Sequence, residues 1–286
     1  MTGIERPAAL LRYPPVDLLI AADLDGTLVP ATSAAPDWQT ERELLPGFCR
    51  RIATARAVTF VCVTGRRAQS ARRVLGASTW VVGLHGAETL TPHSRVPVRH
   101  PVPVAAHRAL AALAADLRRS CPAHMHVEDK QLMLTIHHPG DPPDAAAQAL
   151  AAVTARARDA GLEEIRGRGW TEFRPPSLPD KGDAVRDLVR RFRPRRLAVV
   201  GDDHGDGPML RAARALARRG RLALAGCAHV RTPGAHPDTE RLADVVLDSP
   251  AACRAWLLDL ATATDPPDQR RLDPPPPVRP AKGSVR

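Results

Sequence analysis

The chain has 286 residues, enough to bury a substantial core as one large domain or as a domain with an insertion. Its formal net charge is +10, but aromatic residues are only 3% of it, which disfavours a nucleic-acid surface built on base stacking. We recognise no signal peptide and no apolar run near the roughly 18 residues that span a bilayer, so we expect a soluble, cytoplasmic protein.

The cysteines and lysines narrow the chemistry further. The five cysteines form no CxxC pair, which argues against a disulfide framework or a zinc site and for a reducing compartment. Arginine is the usual cation here, and the only lysines are Lys130, Lys181 and Lys282. A lysine inside the fold is therefore a candidate for a role that needs a compact ammonium.

The first predicted element is a buried parallel strand at residues 18–22, which runs into two acids, Asp23 and Asp25. The carboxyl end of such a strand is where open α/β sheets place ligand sites. On extended chain the two carboxylates point the same way, and Gly26 allows a sharp turn after them. The competing interpretation is an ordinary Asp-Gly turn.

Two more strands follow, at residues 58–63 and 80–84, and each ends in a polar loop. The first loop begins Thr64-Gly65-Arg66, and the Thr64 hydroxyl could hold a phosphate oxygen, cap a helix, or do both. The second begins His85-Gly86. Repeated strand, polar loop and helix units predict an α/β fold with a doubly wound, Rossmann-like parallel sheet.

The middle of the chain has a different pattern. We predict two helix-plus-strand-pair units there: helix 105–120, strands 124–130 and 131–138, helix 143–160, and strands 162–166 and 171–174. Adjacent strands imply antiparallel pairing, so we predict an inserted α+β cap at residues 96–170 within a core of residues 17–95 and 171–262. Residues 263–286 are rich in proline and are predicted to be a disordered tail.

The last predicted core elements carry the remaining charged groups. Lys181 opens a helix, where an anion could lie between its ammonium and the helix N-terminus. A strand at residues 197–200 leads into Asp202, Asp203 and Asp206, and a helix to about residue 218 and a strand at 222–225 follow. Three crowded carboxylates repel one another unless a hard cation lies among them, and oxygen ligands of this kind suit magnesium.

Basic residues at 186–196 give the best support for a different class of function, a non-catalytic anion or nucleic-acid binder. A solvated helix face explains them more simply. The histidines at 124, 126, 137 and 138 have no cysteine partner and alternate in direction along a strand, so we interpret them as surface or core residues rather than a metal cluster.

Together these segments resemble the haloacid dehalogenase superfamily of phosphatases, and most closely the trehalose-6-phosphate phosphatase family, over most of residues 18–262. The core motifs are Asp23-Leu24-Asp25-Gly26-Thr27, Val63-Thr64-Gly65-Arg66, Lys181 before a helix, and Gly201-Asp202-Asp203 with Asp206. The more specific blocks are Gly83–Glu88, Val127–Lys130, Thr135–His138 and Glu172–Pro175. One departure is that Gly205 and Gly207 stand where that family usually has Thr and Glu.

The resemblance implies a magnesium-dependent phosphomonoester hydrolase that acts through an aspartyl-phosphate. Asp23 would be the nucleophile, Asp25 the general acid and base, and Thr64 and Lys181 the phosphoryl ligands. The metal residues would be Asp23, Asp25, Asp202, Asp203 and Asp206. The substrate residues would be Gly26, Arg66, His85, Gly86, Glu128, Lys130 and Glu172.

The expected reaction converts trehalose 6-phosphate to trehalose and phosphate. The alternative is a phosphatase for another sugar phosphate, of the sucrose phosphate or glycosyl-phosphoglycerate type. For Glu128 and Lys130 the competing interpretation is a charged strand edge that discourages aggregation. We expect a small-molecule substrate, with no nucleic-acid or membrane partner, and the sequence leaves the oligomeric state open.

Overall fold

The computed structural model describes residues 16–32, 35–121, 125–138, 144–167, 169–232 and 237–263. Within those residues it has eight α-helices and twelve strands, and the strands form two sheets. The helices are α1 (Trp38–Ala53), α2 (Ala68–Leu75), α3 (Val104–Ser120), α4 (Asp144–Asp159), α5 (Lys181–Phe192), α6 (Gly207–Arg218), α7 (Pro237–Glu240) and α8 (Pro250–Thr262). The strands are β1 (Leu18–Ala22), β2 (Val58–Val63), β3 (Trp80–Gly83), β4 (Glu88–Leu90), β5 (Val98–Arg99), β6 (His126–Asp129), β7 (Leu134–His137), β8 (Glu163–Gly167), β9 (Trp170–Arg174), β10 (Arg196–Gly201), β11 (Leu224–Val230) and β12 (Val245–Leu247).

The larger sheet has the strand order β12-β11-β10-β1-β2-β3-β4-β5. The pairs from β12 to β3 are parallel, and β4 and β5 add an antiparallel edge. Every residue of β1 is buried because helices cover both faces of the sheet. Ile20 packs on the side of α1, α2 and α8, and Leu19 on the side of α5 and α6. The predicted α/β fold with a Rossmann-like parallel sheet is confirmed.

The smaller sheet is antiparallel, in the order β6-β7-β9-β8, and packs on α3 and α4. The predicted α+β character of this region is therefore present, but two bounds of the predicted cap differ from the strand pairing. The edge strand β5 pairs with β4 of the larger sheet, beyond the predicted boundary at residue 96. Strand β9 belongs wholly to the smaller sheet, beyond the predicted end at residue 170.

Two strands also differ from their predicted ranges. Gln131, predicted to begin a strand, has a φ of +72° and forms a turn, so β7 begins only at Leu134. The strand predicted at 222–225 begins at Leu224 and continues to Val230, since its parallel pairing with β10 extends to His229. Residues 264–286 of the predicted tail and His124 lie outside the described residues.

The five cysteines are all free, and none of the described helices is long and apolar enough to cross a membrane.

Candidate active site

The carboxyl end of β1 carries two acids in different surroundings. Asp23 is buried and its backbone amide donates to the Val200 carbonyl of β10, whereas the side chain of Asp25 is 28% exposed. Gly26 follows with a φ of +82°, a backbone conformation that residues other than glycine rarely adopt. A Cβ at this position would come within 2.0 Å of Asp202 Oδ2, so the glycine also allows the close approach of the β10 loop.

Three of the predicted metal residues form one buried cluster. Single carboxylate oxygens of Asp23, Asp202 and Asp206 all lie within 4.8 Å of one another. Asp202 is held from two sides: the Thr27 hydroxyl donates to its Oδ1 at 2.9 Å, and the Thr232 hydroxyl donates to its Oδ2 at 3.2 Å. Asp206 Oδ2 accepts the backbone amide of Asp202 at 2.9 Å.

The electrostatics of the cluster favour a bound cation. Burial, followed by the charge of neighbouring carboxylates, raises the pKa of Asp202 well above its usual value. Burial also raises the pKa of Asp23, although the Lys181 ammonium opposes it. Three carboxylates against one ammonium leave an excess negative charge, and their hard oxygen atoms fit a divalent magnesium ion. The carboxylates of Asp25 and Asp203 lie outside this three-residue cluster.

Lys181 connects Asp23, the predicted nucleophile, to the acidic loop after β10. Its ammonium donates to Asp23 Oδ1 and to Asp206 Oδ1, each at 2.7 Å. Burial would lower the lysine pKa, but the two carboxylates outweigh it and hold that pKa well above the usual value. The side chain is fixed here because α5 begins at Lys181, behind a capping box in which Asp180 accepts the Asp183 amide at 2.7 Å.

The loop after β2 supplies the next two predicted residues. Thr64 is buried, and its hydroxyl accepts the backbone amide of Arg66 at 3.2 Å. Arg66 forms a bidentate pair with Asp25, with Nε–Oδ2 at 2.6 Å and Nη2–Oδ1 at 2.5 Å. Arg66, predicted to bind substrate, is therefore paired in this structure with Asp25, the predicted general acid.

The loop after β3 presents His85. The residue has a φ of +57°, and its ring lies against Gly65, where a Cβ would come within 2.7 Å of His85 Cε1. Its Nε2 lies 3.5 Å from Glu172 Oε1. Burial lowers the pKa of His85 to about 4, so the ring is neutral at neutral pH.

The smaller sheet contributes a buried ion pair to the same site. Glu172 Oε2 lies 3.2 Å from Lys130 Nζ and accepts the Thr135 hydroxyl at 2.9 Å. Burial would raise the pKa of Glu172, but the charge that His85 carries when protonated, the Lys130 ammonium and the Thr135 hydroxyl together hold that pKa below its usual value. Lys130 Nζ also donates to the Gly65 carbonyl at 3.2 Å, which joins this sheet to the loop after β2. Lys130 is only 7% exposed, so it is not the charge of an open strand edge.

One cavity of about 470 Å³ brings these groups together. Its predicted lining residues are Asp23, Asp25, Thr64, Arg66, His85, Glu128, Lys130, Glu172, Lys181 and Asp203. Gly26 and Gly86 are not among the lining residues; Gly26 packs against Asp202, and Gly86 against Pro179.

The cavity wall includes residues that sequence reasoning missed or set aside. His137, interpreted as a surface or core residue, lines the wall and lies 3.2 Å from Glu128 Oε2. Trp170 and Thr135 line it as well, and Gly167 gives the Trp170 ring room, since a Cβ there would come within 2.0 Å of it. Aromatic residues are rare in this chain, and Trp170 lies two residues before the predicted site residue Glu172. That proximity was the sequence signal that could have identified Trp170.

Comparison with known proteins identifies the same family that the sequence motifs resemble. The family model described as trehalose-phosphatase matches residues 21–232. A crystal structure of a trehalose-6-phosphate phosphatase related protein is 22% identical, with 86% of this chain and 97% of that chain covered and a TM-score of 0.63. The C-terminal domain of the Candida albicans (C. albicans) trehalose-6-phosphate phosphatase is 16% identical, with 87% and 93% covered and a TM-score of 0.66.

A haloacid dehalogenase-like hydrolase from Bacteroides thetaiotaomicron also shares the fold, at 15% identity and a TM-score of 0.58, with 85% of this chain and 99% of that chain covered. A search of curated protein sequences finds no significant match.

Proposed function

Because the chain belongs to the trehalose-phosphatase family and is a sugar-phosphate phosphatase, we propose that it hydrolyses trehalose 6-phosphate to trehalose and phosphate with magnesium. The observation that carries the proposal is that one cavity holds two kinds of group. Asp23 and Lys181 lie at the larger sheet, where a phosphoryl group would react, and Lys130 and Glu172 lie at the smaller sheet, where hydroxyls would bind.

Phosphate monoesters hydrolyse extremely slowly in water, so the site must supply positioning and charge neutralisation. In the proposed first step, an Asp23 carboxylate oxygen attacks phosphorus, the bond from phosphorus to the sugar oxygen breaks, and Asp25 donates a proton to that oxygen. In the second step, Asp25 takes a proton from water as the water oxygen attacks the aspartyl-phosphate. This step regenerates the free Asp23 carboxylate and releases inorganic phosphate.

The proton transfers require Asp25 to leave Arg66. The bidentate pair occupies both carboxylate oxygens of Asp25, so the acid becomes available only when the guanidinium turns to another anion. A substrate phosphate is such an anion, and arginine binds phosphate through the same two-pronged geometry. We therefore propose that Arg66 moves from Asp25 to the phosphate when substrate enters. The freed Asp25 carboxylate then takes up a proton from solvent, and this is the proton that it donates to the sugar oxygen.

The metal residues in this proposal are Asp23, Asp202 and Asp206, with the Asp25 backbone carbonyl as a further oxygen ligand and Asp203 beside them. Bound magnesium would supply positive charge to the transferring phosphoryl oxygens. Thr64 and Lys181 would contact the remaining phosphoryl oxygens from the opposite loops. Lys181 also orients the Asp23 carboxylate, since it holds one of its oxygens at 2.7 Å.

Sugar recognition is assigned to the smaller sheet, which we propose acts as a cap over the core. A disaccharide offers hydroxyls that both donate and accept. Glu172 Oε1 is buried and has no hydrogen-bond partner among the described residues, so it is an acceptor available to a sugar hydroxyl. Lys130 donates, and Glu128 with His137 lines the rim of the same cavity.

The alternative substrate is another sugar phosphate, of the sucrose phosphate or glycosyl-phosphoglycerate type. Gly205, one of the two departures from the family pattern, lines the cavity and supports this alternative.

Phosphate release from a panel of sugar phosphates, measured with magnesium, decides between the two. We expect trehalose 6-phosphate to give the highest kcat/KM and Asp23→Asn to abolish turnover of every substrate. Hydrolysis of other sugar phosphates but not of trehalose 6-phosphate would refute the proposed substrate. Magnesium-dependent turnover by Asp23→Asn would refute the assignment of Asp23 as the nucleophile.

A further inference from the structure

A second concave site lies between α5 and α6 and shares no lining residue with the catalytic cavity. This groove, called here the arginine groove, has a volume of about 390 Å³. Its lining residues are Asp180, Arg186, Pro208, Arg211, Ala212, Arg214, Ala215, Arg218 and Leu242.

The charges of the arginine groove are unbalanced. Its wall carries four guanidinium groups and one carboxylate, and that carboxylate, Asp180, is already engaged as the cap of α5. Arg186 pairs with Asp183 at 2.8 Å and Arg214 with Asp244 at 2.6 Å. Across the residues that the structure describes, Arg211 and Arg218 have no acidic partner within 4.0 Å.

The spacing on α6 concentrates this charge. Arg211, Arg214 and Arg218 are separated by three and four residues, so they lie on one face of the helix. Like charges at this spacing repel one another. Arg214 is held by the Asp244 carboxylate and the Leu242 carbonyl, whereas no ion pair of the described residues accounts for Arg211 and Arg218.

The Arg211 guanidinium also lies near the N-terminus of its own helix, which is an unfavourable position for a positive charge. Its Nη1 lies over Gly207, the first residue of α6, where a Cβ would come within 2.9 Å of it. The N-terminus of a helix carries partial positive charge, so a cation is disfavoured there. An anion in the groove would meet both the guanidinium and that end of the helix.

The remaining lining residues, Pro208, Ala212, Ala215 and Leu242, are apolar and mostly small. Four guanidinium groups beside a small apolar surface suit a compact ligand that carries several negative charges. Guanidinium groups bind phosphate oxygens in pairs, which makes phosphate the best-matched anion. No aromatic side chain is among the described residues that line the groove, and this disfavours the stacked bases of a nucleic acid.

We propose that the arginine groove is a second anion site, which takes a compact molecule carrying two or more linked phosphate groups. The site lies directly behind the catalytic machinery. Helix α5 begins at Lys181, α6 follows Asp206, and a Cβ at Gly182 would come within 2.7 Å of the carbonyl oxygen of Pro208, one of the lining residues.

Calorimetric titration of the full chain with inorganic tripolyphosphate tests the proposal, in magnesium-free buffer so that chelation does not contribute. We expect Arg211→Ala/Arg218→Ala to raise the Kd at least about tenfold, because it removes two guanidinium ligands. The matched control is Arg190→Ala/Arg195→Ala, which removes the same charge from exposed positions outside the groove. It should change the Kd less than about twofold, consistent with the small effect of screened surface charges.

Three results would overturn the proposal. An unchanged Kd in Arg211→Ala/Arg218→Ala would place the anion elsewhere. Equal weakening in both double variants would indicate attraction by net charge alone. Tighter binding of a single-stranded oligonucleotide than of tripolyphosphate, lost in both double variants, would indicate an extended nucleic-acid surface instead. None of these outcomes depends on which sugar phosphate the enzyme hydrolyses.

Discussion

The turn at Gly26 gives the sharpest test of how the site is built. Gly26→Ala adds one methyl group at a φ of +82° and directs it at Asp202, with 2.0 Å to Oδ2 and 2.4 Å to Cγ. The Asp202 carboxylate cannot simply rotate away, because Thr27 and Thr232 each hold one of its oxygens. The substitution should therefore displace a predicted metal ligand as well as strain the backbone.

Gly161 provides a matched control. It has a φ of +72°, but a Cβ there meets no atom within 4 Å. Gly161→Ala thus carries only the left-handed backbone penalty, about 1–2 kcal/mol. Gly26→Ala carries the same penalty plus about 1–3 kcal/mol for overpacking. The difference between the two variants isolates the contact with Asp202.

The measurements are the free energy of unfolding in urea and the magnesium-dependent release of phosphate. We expect Gly161→Ala to keep its activity and Gly26→Ala to lose about 100-fold, as an ångström of misplacement does in a reacting site. Equal stability of the two variants, with full activity in Gly26→Ala, would refute the idea that the glycine is needed for the approach of Asp202.

Three further predictions concern the sugar side, the metal and pH. Glu172→Gln should lower kcat/KM for the sugar phosphate about 10- to 100-fold, through loss of charged hydrogen bonds, and leave p-nitrophenyl phosphate hydrolysis within about threefold; an equal loss on both substrates would contradict a sugar role. EDTA should abolish activity, and added magnesium should restore it and raise the melting temperature, because a cation relieves the repulsion around Asp202; a magnesium shift that persists undiminished in Asp202→Asn would contradict this site. The pKa of His85 is lowered to about 4 from 6.5, so the unfolded chain binds more protons between these values and stability falls as pH drops through them. His85→Asn should lessen the fall of the urea midpoint between pH 7 and pH 5, and an equally steep fall would show that other groups cause it.

The core site was predictable because its determinants are local. Each of Asp23, Thr64 and Asp202 follows an apolar run, and parallel strands that share a buried sheet bring their carboxyl ends to one edge. Sequence order and strand hydrophobicity were therefore enough to place them together. Lys181 was found for a related reason, since a helix start after a Pro-Asp pair is readable from sequence.

The remaining contacts depend on how the smaller sheet lies over that edge, which local sequence does not encode. The pair between Arg66 and Asp25 joins two loops, and the cavity wall at His137 and Trp170 requires the register of β7 with β9, where these two residues are directly opposed. The alternation of side chains along β7 shows that His137 and His138 point to opposite faces of the sheet, but it does not show which face lines the cavity. The pairing of β5 and β9 differs from the predicted bounds of the cap for the same reason, since strand partners are not visible in either segment alone.

The Lys130 contact explains how one short loop can serve both ends of a substrate. Thr64 and Arg66 are the proposed phosphate ligands, and the Gly65 carbonyl between them accepts a hydrogen bond from the Lys130 ammonium, which in turn pairs with Glu172. A sugar bound to Lys130 and Glu172 would therefore also act on the loop that carries these proposed phosphate ligands. A phosphate ester without the sugar reaches Thr64 and Arg66 but leaves the Lys130 contact as it is. On this argument discrimination should appear in kcat as well as in KM, because the sugar contacts help to set the position of the groups that transfer the phosphoryl group.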